Sequence, residues 1–142
     1  MEPKFPDSWS ALKIPQWRHE LLETLKELAD PVYQQKAWVE EAVDQAVIVG
    51  AQQVYHSLFE DLDLGSDPKG AVGCFLFDEA ELAAIEPLIR LLEAVRNDLG
   101  KPTSRSCINH PRWSEVVGAA AAARGVLLEK GEVKGTAERL KS

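Results

Sequence analysis

The sequence predicts an all-α fold: a single domain of four to five helices with minor or no strand content. Apolar residues recur at spacings of three and four over most of the chain, which is the period of an amphipathic helix. Pro and Asp stand where these stretches begin, and Gly stands where several of them end. A length of 142 residues is enough for one hydrophobic core, and 45% hydrophobic with 27% charged residues is an ordinary globular composition. This composition excludes collagen-like, disordered and disulfide-dense proteins.

An N-terminal arm, residues 1–14, precedes the first predicted helix, 15–29. The arm contains prolines and isolated apolar residues, so we expect ordered chain without a helix. Asp30 and Pro31 end the first helix and start the next segment, because Asp caps exposed amides and Pro is preorganised for a first turn. Pro15 likewise stands at the first position of the 15–29 helix, whose apolar residues are Trp17, Leu21, Leu22, Leu25, Leu28 and Ala29.

The segment 32–62 has a less regular helical period, and we expect two helices with a bend near residues 38–41. The β-branched stretch 47–49 weakens the helical pattern, since such side chains suit strands better. Residues 60–73 contain Asp, Ser, Gly and Pro at turn positions and predict a loop. The short apolar stretch 72–77 fits either a buried loop or a single strand.

The clearest predicted helix spans residues 78–99. Asp78 and Glu81 have the spacing of a reciprocal capping box, and Gly100 follows the last residue of the apolar stripe. Pro87 lies inside this helix and predicts a kink, because proline lacks an amide hydrogen and clashes with the carbonyl four residues earlier.

A loop over residues 101–110 leads to the last predicted helix, 111–130, which begins at Pro111. Small residues along the middle of this helix let a neighbour approach closely. We therefore expect it to lie centrally and to pack, with the preceding helix, against the first helix. The helical domain is predicted over 15–131, followed by a flexible polar tail, 132–142.

The net charge of −7 is unevenly distributed along the chain. Residues 1–100 carry 8 Lys and Arg against 19 Asp and Glu, whereas residues 101–142 carry 8 against 4. An acidic body repels phosphate backbones, so the charge disfavours general nucleic-acid binding and favours a basic protein partner. No apolar run is long enough for a membrane span and the first residues lack the pattern of a signal peptide, so we expect a cytoplasmic protein without membrane association.

Four carboxylates, those of Glu60, Asp61, Asp63 and Asp67, fall on the predicted 60–73 loop. Alternating oxygen donors around a tight turn are typical of calcium sites, but this stretch lacks the bidentate Glu that an EF-hand loop has at its twelfth position. We therefore interpret the segment as a solvated acidic turn. It is also the predicted docking surface for a basic partner.

Two cysteines, Cys74 and Cys107, lie 33 positions apart outside any CxxC motif, so neither a disulfide framework nor a zinc ribbon is predicted. Cys107 and His110 are three apart but have no second ligand pair, and we expect no metal site and no cofactor. The chain contains no nucleophile elbow, phosphate-binding Gly loop, HExxH motif or dinucleotide fingerprint. No catalytic residue is therefore predicted, which argues against an enzyme without excluding one.

Aromatic residues at apolar helix positions belong more often to a core than to a binding platform. Tyr33 and Trp38 flank the expected bend. Either one becomes a predicted anchor for a protein partner if its side chain is exposed, because Tyr and Trp dominate interface hot spots.

Several motifs occur in an order that resembles a known family. They are the leucines of the first helix, Asp30-Pro31-Val32-Tyr33-Gln34-Gln35, Trp38, Asp61, Asp67-Pro68, Val72-Gly73, Asp78 with Glu81, Leu99-Gly100 and Pro111-Arg112-Trp113. Over residues 15–128 the chain resembles small acidic bacterial proteins of unknown function that are common in actinobacteria, and it departs from them in a more helical, apolar stretch at 40–53. The resemblance implies helix caps, turns and core aromatics at the matching positions, and no established activity. Some of these proteins look similar to the immunity proteins of toxin systems, which is an analogy.

The function that we expect is that of a non-catalytic protein-binding module, immunity-like or regulatory, which presents its acidic surface to a basic partner. The alternative is a small helical enzyme or ligand-binding protein with a pocket between the helices and the 60–77 loop. His56 and Glu60 are the predicted polar residues of that pocket. Both a monomer and a homodimer remain open.

Overall fold

The computed structural model describes residues 7–40 and 50–129. Within these residues the fold is all-α, with six helices, five of them at least seven residues long, and no strand. The predicted fold class is confirmed, and the described part holds one helix more than the upper number predicted. The β-branched stretch 47–49 and the tail 132–142 lie outside the described residues.

Two of the six helices change from α to π hydrogen bonding along their length. In chain order the helices are α1 (Pro15–Leu28), α2 (Pro31–Tyr33, continuing as a π-helix over Gln34–Glu40), α3 (Ala51–Tyr55, continuing as a π-helix over His56–Asp61), α4 (Glu79–Leu99), α5 (Ser104–Ile108) and α6 (Trp113–Leu128). Short 3₁₀ helices cover Asp7–Ala11 and Pro68–Ala71. Two helices therefore flank the undescribed residues 41–49, where part of the predicted bend falls.

Helix α6 occupies the centre of the fold, as its small residues predict. It packs against both α1 and α4. Its buried residues, which include Ala120 and Ala123, allow the neighbouring helices to approach closely. Helix α4 packs chiefly on α6, and its link to α1 is a buried ion pair between Arg18 and Glu81.

Helix α4 begins and ends as its sequence predicts. The side chain of Asp78 accepts a hydrogen bond from the amide of Glu81 at 3.0 Å, and Gly100 ends the helix with a φ of +74°. The helix extends on both sides of Pro87, whose ring is exposed. The Glu81 carboxylate, predicted to return to the amide of Asp78, accepts from the amide of Phe77 at 2.7 Å and also binds Arg18.

The predicted loop over 101–110 contains a helix, α5, which corrects the sequence interpretation. The hydroxyl of Thr103 accepts from the amide of Ser106 at 3.1 Å, and the hydroxyl of Ser106 accepts from the amide of Thr103 at 2.9 Å. This reciprocal box starts the short helix. Ser104 then accepts a hydrogen bond from the amide of Ala51 at 3.1 Å, which joins α5 to the start of α3.

Residues 72–77, in the connection between α3 and α4, form a loop with a buried centre, which is one of the two structures predicted for them. Phe75 and Leu76 lie in the core with almost no exposed surface. The only pairing of extended chain among the described residues is a single bridge between Val72 and Leu76. The N-terminal arm is anchored beside this loop, because the amides of Lys13 and Ile14 donate to carbonyls of residues 73 and 74.

Candidate functional site: an acidic turn and a charged groove

The acidic turn, defined by Glu60, Asp61, Asp63 and Asp67, lies at the end of α3 and in the chain that follows. All four side chains are exposed. Between them, the side chains of Leu62 and Leu64 point into the core and are almost completely buried. The alternation of buried Leu with exposed Asp holds the carboxylates on the outside of the fold.

Backbone hydrogen bonds fix the shape of this turn. The amide of Leu62 donates to the carbonyl of Ser57 at 2.8 Å, and the amide of Leu64 donates to the carbonyl of Leu58 at 2.9 Å. The amide of Asp67 donates to the carbonyl of Asp63 at 3.1 Å. These bonds fix the backbone from which the exposed Asp side chains project, and the carboxylate of Asp67 also accepts from the amide of Gly70 at 3.3 Å.

The electrostatics of the end of α3 are unfavourable for the helix itself. Acidic side chains near a helix C-terminus interact badly with the negative end of the helix dipole, and the last turn of α3 contains no Lys or Arg. His56 contacts both acidic residues at this helix end: its Nδ1 is bonded to Glu60, and its Nε2 lies 3.4 Å from an oxygen of Asp61. The arrangement is better suited to displaying negative charge than to stabilising α3.

The two aromatic residues predicted as anchors differ in exposure. Tyr33 is 43% exposed near the start of α2, beside Val32, which is 77% exposed. Trp38 is 4% exposed and belongs to the core, where its ring packs edge-on against Trp113 with centroids 6.4 Å apart. Trp38 therefore fails the condition of exposure and is not part of a docking surface, whereas Tyr33 meets it.

His56 and Glu60 line a groove, but not the one that the sequence predicts. The groove has a volume of about 550 Å³ and lies between α3 and the connection from α4 to α5, and Glu60 contributes to it from the start of the 60–77 segment. That loop covers a separate, smaller cavity of about 130 Å³ against α4, whose lining includes Leu64, Leu82 and Ile85. A cavity thus lies between the loop and α4, whereas the predicted polar residues His56 and Glu60 line the other groove.

Cys107 and His110 do not form a reactive pair. Burial raises the pKa of the Cys107 thiol to about 11, so the sulfur is protonated at neutral pH and is a poor nucleophile. His110 lies between two other partners: its Nε2 is 2.9 Å from an oxygen of Asp98, and its Nδ1 accepts from the amide of Arg112 at 3.0 Å. Across residues 7–40 and 50–129, no group of three or more His, Cys, Asp or Glu side chains is arranged to hold a metal ion.

A buried ion pair that the apolar pattern does not indicate joins several elements of the fold. Arg18 has no exposed surface and donates to both carboxylate oxygens of Glu81, at 2.9 and 2.6 Å. It also donates to the carbonyls of Phe75 and Leu127, at 3.1 and 3.0 Å, and its guanidinium lies 4.4 Å from the centre of the Phe77 ring. One side chain of α1 therefore contacts α4, the end of α6 and the 72–77 loop.

A buried amide, that of Gln34, forms a second connection that the sequence does not reveal. Its Nε2 donates to the carbonyls of Glu27 and Leu28, at 2.8 and 2.9 Å. Its Oε1 accepts from the indole nitrogen of Trp113 at 2.8 Å. Gln34 thus joins the end of α1 to the beginning of α6, and its role is structural.

Comparison with known proteins identifies one family. A family model described as a domain of unknown function (DUF7945) matches residues 12–134. No curated protein and no solved structure matches the chain. No helix in the described part is both long and apolar enough to cross a membrane. The match extends over all six helices and the acidic turn, and it agrees with the predicted resemblance to proteins of unknown function.

Proposed function

The chain belongs to the DUF7945 family, a domain of unknown function, and we propose that it is a non-catalytic protein-binding module whose acidic turn engages a basic protein. The observation that carries this proposal is the alternation in the turn. Asp61 and Asp63 are exposed while Leu62 and Leu64 are buried, so core packing fixes the backbone that presents the carboxylates to solvent. A backbone that is already ordered loses little conformational freedom on binding, which favours recognition.

The negative charge of the turn should change the rate of association with a partner more than the energy of the contacts in the complex. Exposed carboxylates attract a basic surface over about 8 Å at physiological ionic strength and orient its approach. Tyr33 is the accessible aromatic candidate for an anchor, and it is a separate element of the proposal, on α2. An immunity-like or regulatory protein that neutralises a basic partner would work in this way.

The test compares two triple variants with the same change in charge. The first, Asp61→Asn, Asp63→Asn and Asp67→Asn, removes three carboxylates from the turn. The second, Glu23→Gln, Glu40→Gln and Glu129→Gln, removes three exposed carboxylates elsewhere and is the matched control. Each tagged protein is used to capture proteins from a lysate of the source cells at low and moderate salt.

We expect wild type and the control variant to retain the same basic protein in stoichiometric amount, and the turn variant to lose it. Capture should weaken as salt rises, because exposed charges are screened. Equal retention by both triple variants would remove the acidic turn from the proposal. A purified chain that carries a small molecule and captures no protein would contradict the proposal as a whole.

A further inference from the structure

The groove between α3 and the α4–α5 connection contains two basic residues, in contrast to the acidic turn. Arg96, on the last turn of α4, and Lys101, just beyond the helix, both line it. Neither forms an ion pair with any described residue. Two cations thus share one groove on a chain with a net charge of −7.

Aromatic rings hold the Arg96 guanidinium in place. It lies 4.5 Å from the centre of the Phe59 ring and 5.4 Å from that of Tyr55, and these two rings stack on each other. The hydroxyl of Tyr55 donates to the carbonyl of Leu92 at 2.7 Å, and burial raises the pKa of the phenol above its ordinary value. The rings are thus a neutral, fixed floor, and the Arg96 position is set by stacking.

The donors of Arg96 have no acceptor among the described residues. A guanidinium carries five N–H groups in a planar fork that matches the two oxygens of a carboxylate or phosphate. Because this fork is fixed over rings in an open groove and its N–H groups are unused by protein, an anion from outside that replaces the solvent there would complement it. The opposite wall, with His56 and Glu60, is polar and carries a carboxylate, so it disfavours a second anionic group on the ligand.

We propose that this groove binds a small organic anion with one carboxylate or phosphate group on a planar body. Arg96 and Lys101 bind the anionic group, and the planar body packs along Phe59. The volume of about 550 Å³ lies within the range of small-molecule sites and accommodates such a ligand. This site does not depend on the acidic turn being a docking surface.

A purely structural role for Arg96 makes a different prediction. A cation in the last turn of a helix interacts favourably with the helix dipole, and this alone would account for a basic residue at position 96. Such a role would lower stability when Arg96 is replaced, without creating any dependence on ligand charge. The experiment therefore reads out binding separately from folding.

The test titrates ¹⁵N-labelled protein with three probes of similar shape: benzoate, phenyl phosphate and the neutral benzamide. We expect saturable shifts of the Gly100 and Lys101 amides with at least one anion, with a dissociation constant on the order of 1 mM for so small a probe. Benzamide should bind at least about tenfold more weakly. A comparison of the dissociation constants of benzoate and phenyl phosphate indicates whether the groove prefers a carboxylate or a phosphate.

Variants assign the binding to the proposed residues. Arg96→Gln should weaken the anion at least about tenfold, whereas Arg90→Gln, an exposed arginine on the same helix, should stay within about twofold. If circular dichroism shows that Arg96→Gln is unfolded, Lys101→Gln at an exposed position provides the test, with a weakening of about threefold or more expected. The proposal would be overturned by amide shifts that do not saturate or by benzamide binding as tightly as the anions. It would also be overturned by an unchanged affinity in a folded Arg96→Gln or Lys101→Gln protein.

Discussion

Two buried polar side chains, Arg18 and Gln34, show how single residues connect elements that are distant in the sequence. Both are completely buried. A polar group in the core is tolerated when its hydrogen bonds are satisfied, and its removal leaves partners without bonds. Arg18 falls on the apolar stripe of α1, three before Leu21 and four before Leu22, so its position in the helical period is the signal that could have identified it.

Replacing Gln34 by Ala should lower the free energy of unfolding by about 2–4 kcal/mol, because it leaves the indole nitrogen of Trp113 and two carbonyls at the end of α1 without their partner. The measurement is urea denaturation followed by circular dichroism. The matched control is Gln35→Ala at the exposed neighbour, which should change stability by less than about 0.5 kcal/mol. Equal effects of the two substitutions would refute the assigned role.

Replacing Arg18 by Met should cost about 3–5 kcal/mol, because the carboxylate of Glu81 remains buried without its partner. The double variant with Glu81→Leu should be less destabilised than the sum of the two single variants, since no buried charge is left. A double-mutant cycle in urea measures the difference. Additive effects would show that Arg18 and Glu81 are not coupled. The control is Glu115→Gln, which removes an exposed ion pair with Arg112 and should leave the urea midpoint unchanged.

The bounds of the long helices with clear capping residues can be predicted from the sequence, and those of the short or irregular helices cannot. α1, α4 and α6 have apolar periods over three turns or more with start or stop residues, and each was predicted close to its observed bounds. α5 was missed because five residues are too short for a period, although Thr103 and Ser106 have capping spacing. The π segments of α2 and α3 differ from an α-helix in that each amide donates to the carbonyl five residues earlier. The pattern of apolar residues does not distinguish this hydrogen bonding from that of an α-helix.

Substitution by Ala should change the stability of the protein in opposite directions at two glycines, one before a helix and one inside a helix. Gly50 precedes α3 with a φ of +73°, and a Cβ there would lie 2.2 Å from the hydroxyl oxygen of Ser104, so Gly50→Ala should destabilise by about 1–2 kcal/mol or more. Gly118 is exposed inside α6 with no atom within 4 Å of an added Cβ. Gly118→Ala should therefore stabilise by about 0.5–1 kcal/mol.

Thermal unfolding of both variants measures this contrast. A destabilised Gly118→Ala would mean that this face of α6 is covered in the native protein, for example by a second copy. A Gly50→Ala protein as stable as wild type would mean that the start of α3 tolerates an ordinary backbone conformation. Either result would revise the packing of the element concerned.

For the molecule as a whole, the sequence predicted the distribution of charge better than the location of sites. The acidic turn was identified from residue types alone, because four carboxylates near turn-forming residues are exposed in almost any fold. The groove was not, since it depends on Arg96 meeting Phe59 and Tyr55 across two helices. His56 and Glu60 are four residues apart on α3 and contact each other, but the side of the molecule that they face is decided by packing.

If the acidic turn steers a basic protein, its carboxylates should raise the rate constant of association, and this rate constant can be measured. The protein captured by wild type is purified, and its association with wild type and with the Asp61→Asn, Asp63→Asn, Asp67→Asn variant is measured over a range of salt concentrations. We predict that the association rate constant of the variant is lower by about tenfold or more at low ionic strength, and that the two converge as salt rises. Equal association rates at low salt would contradict the claim.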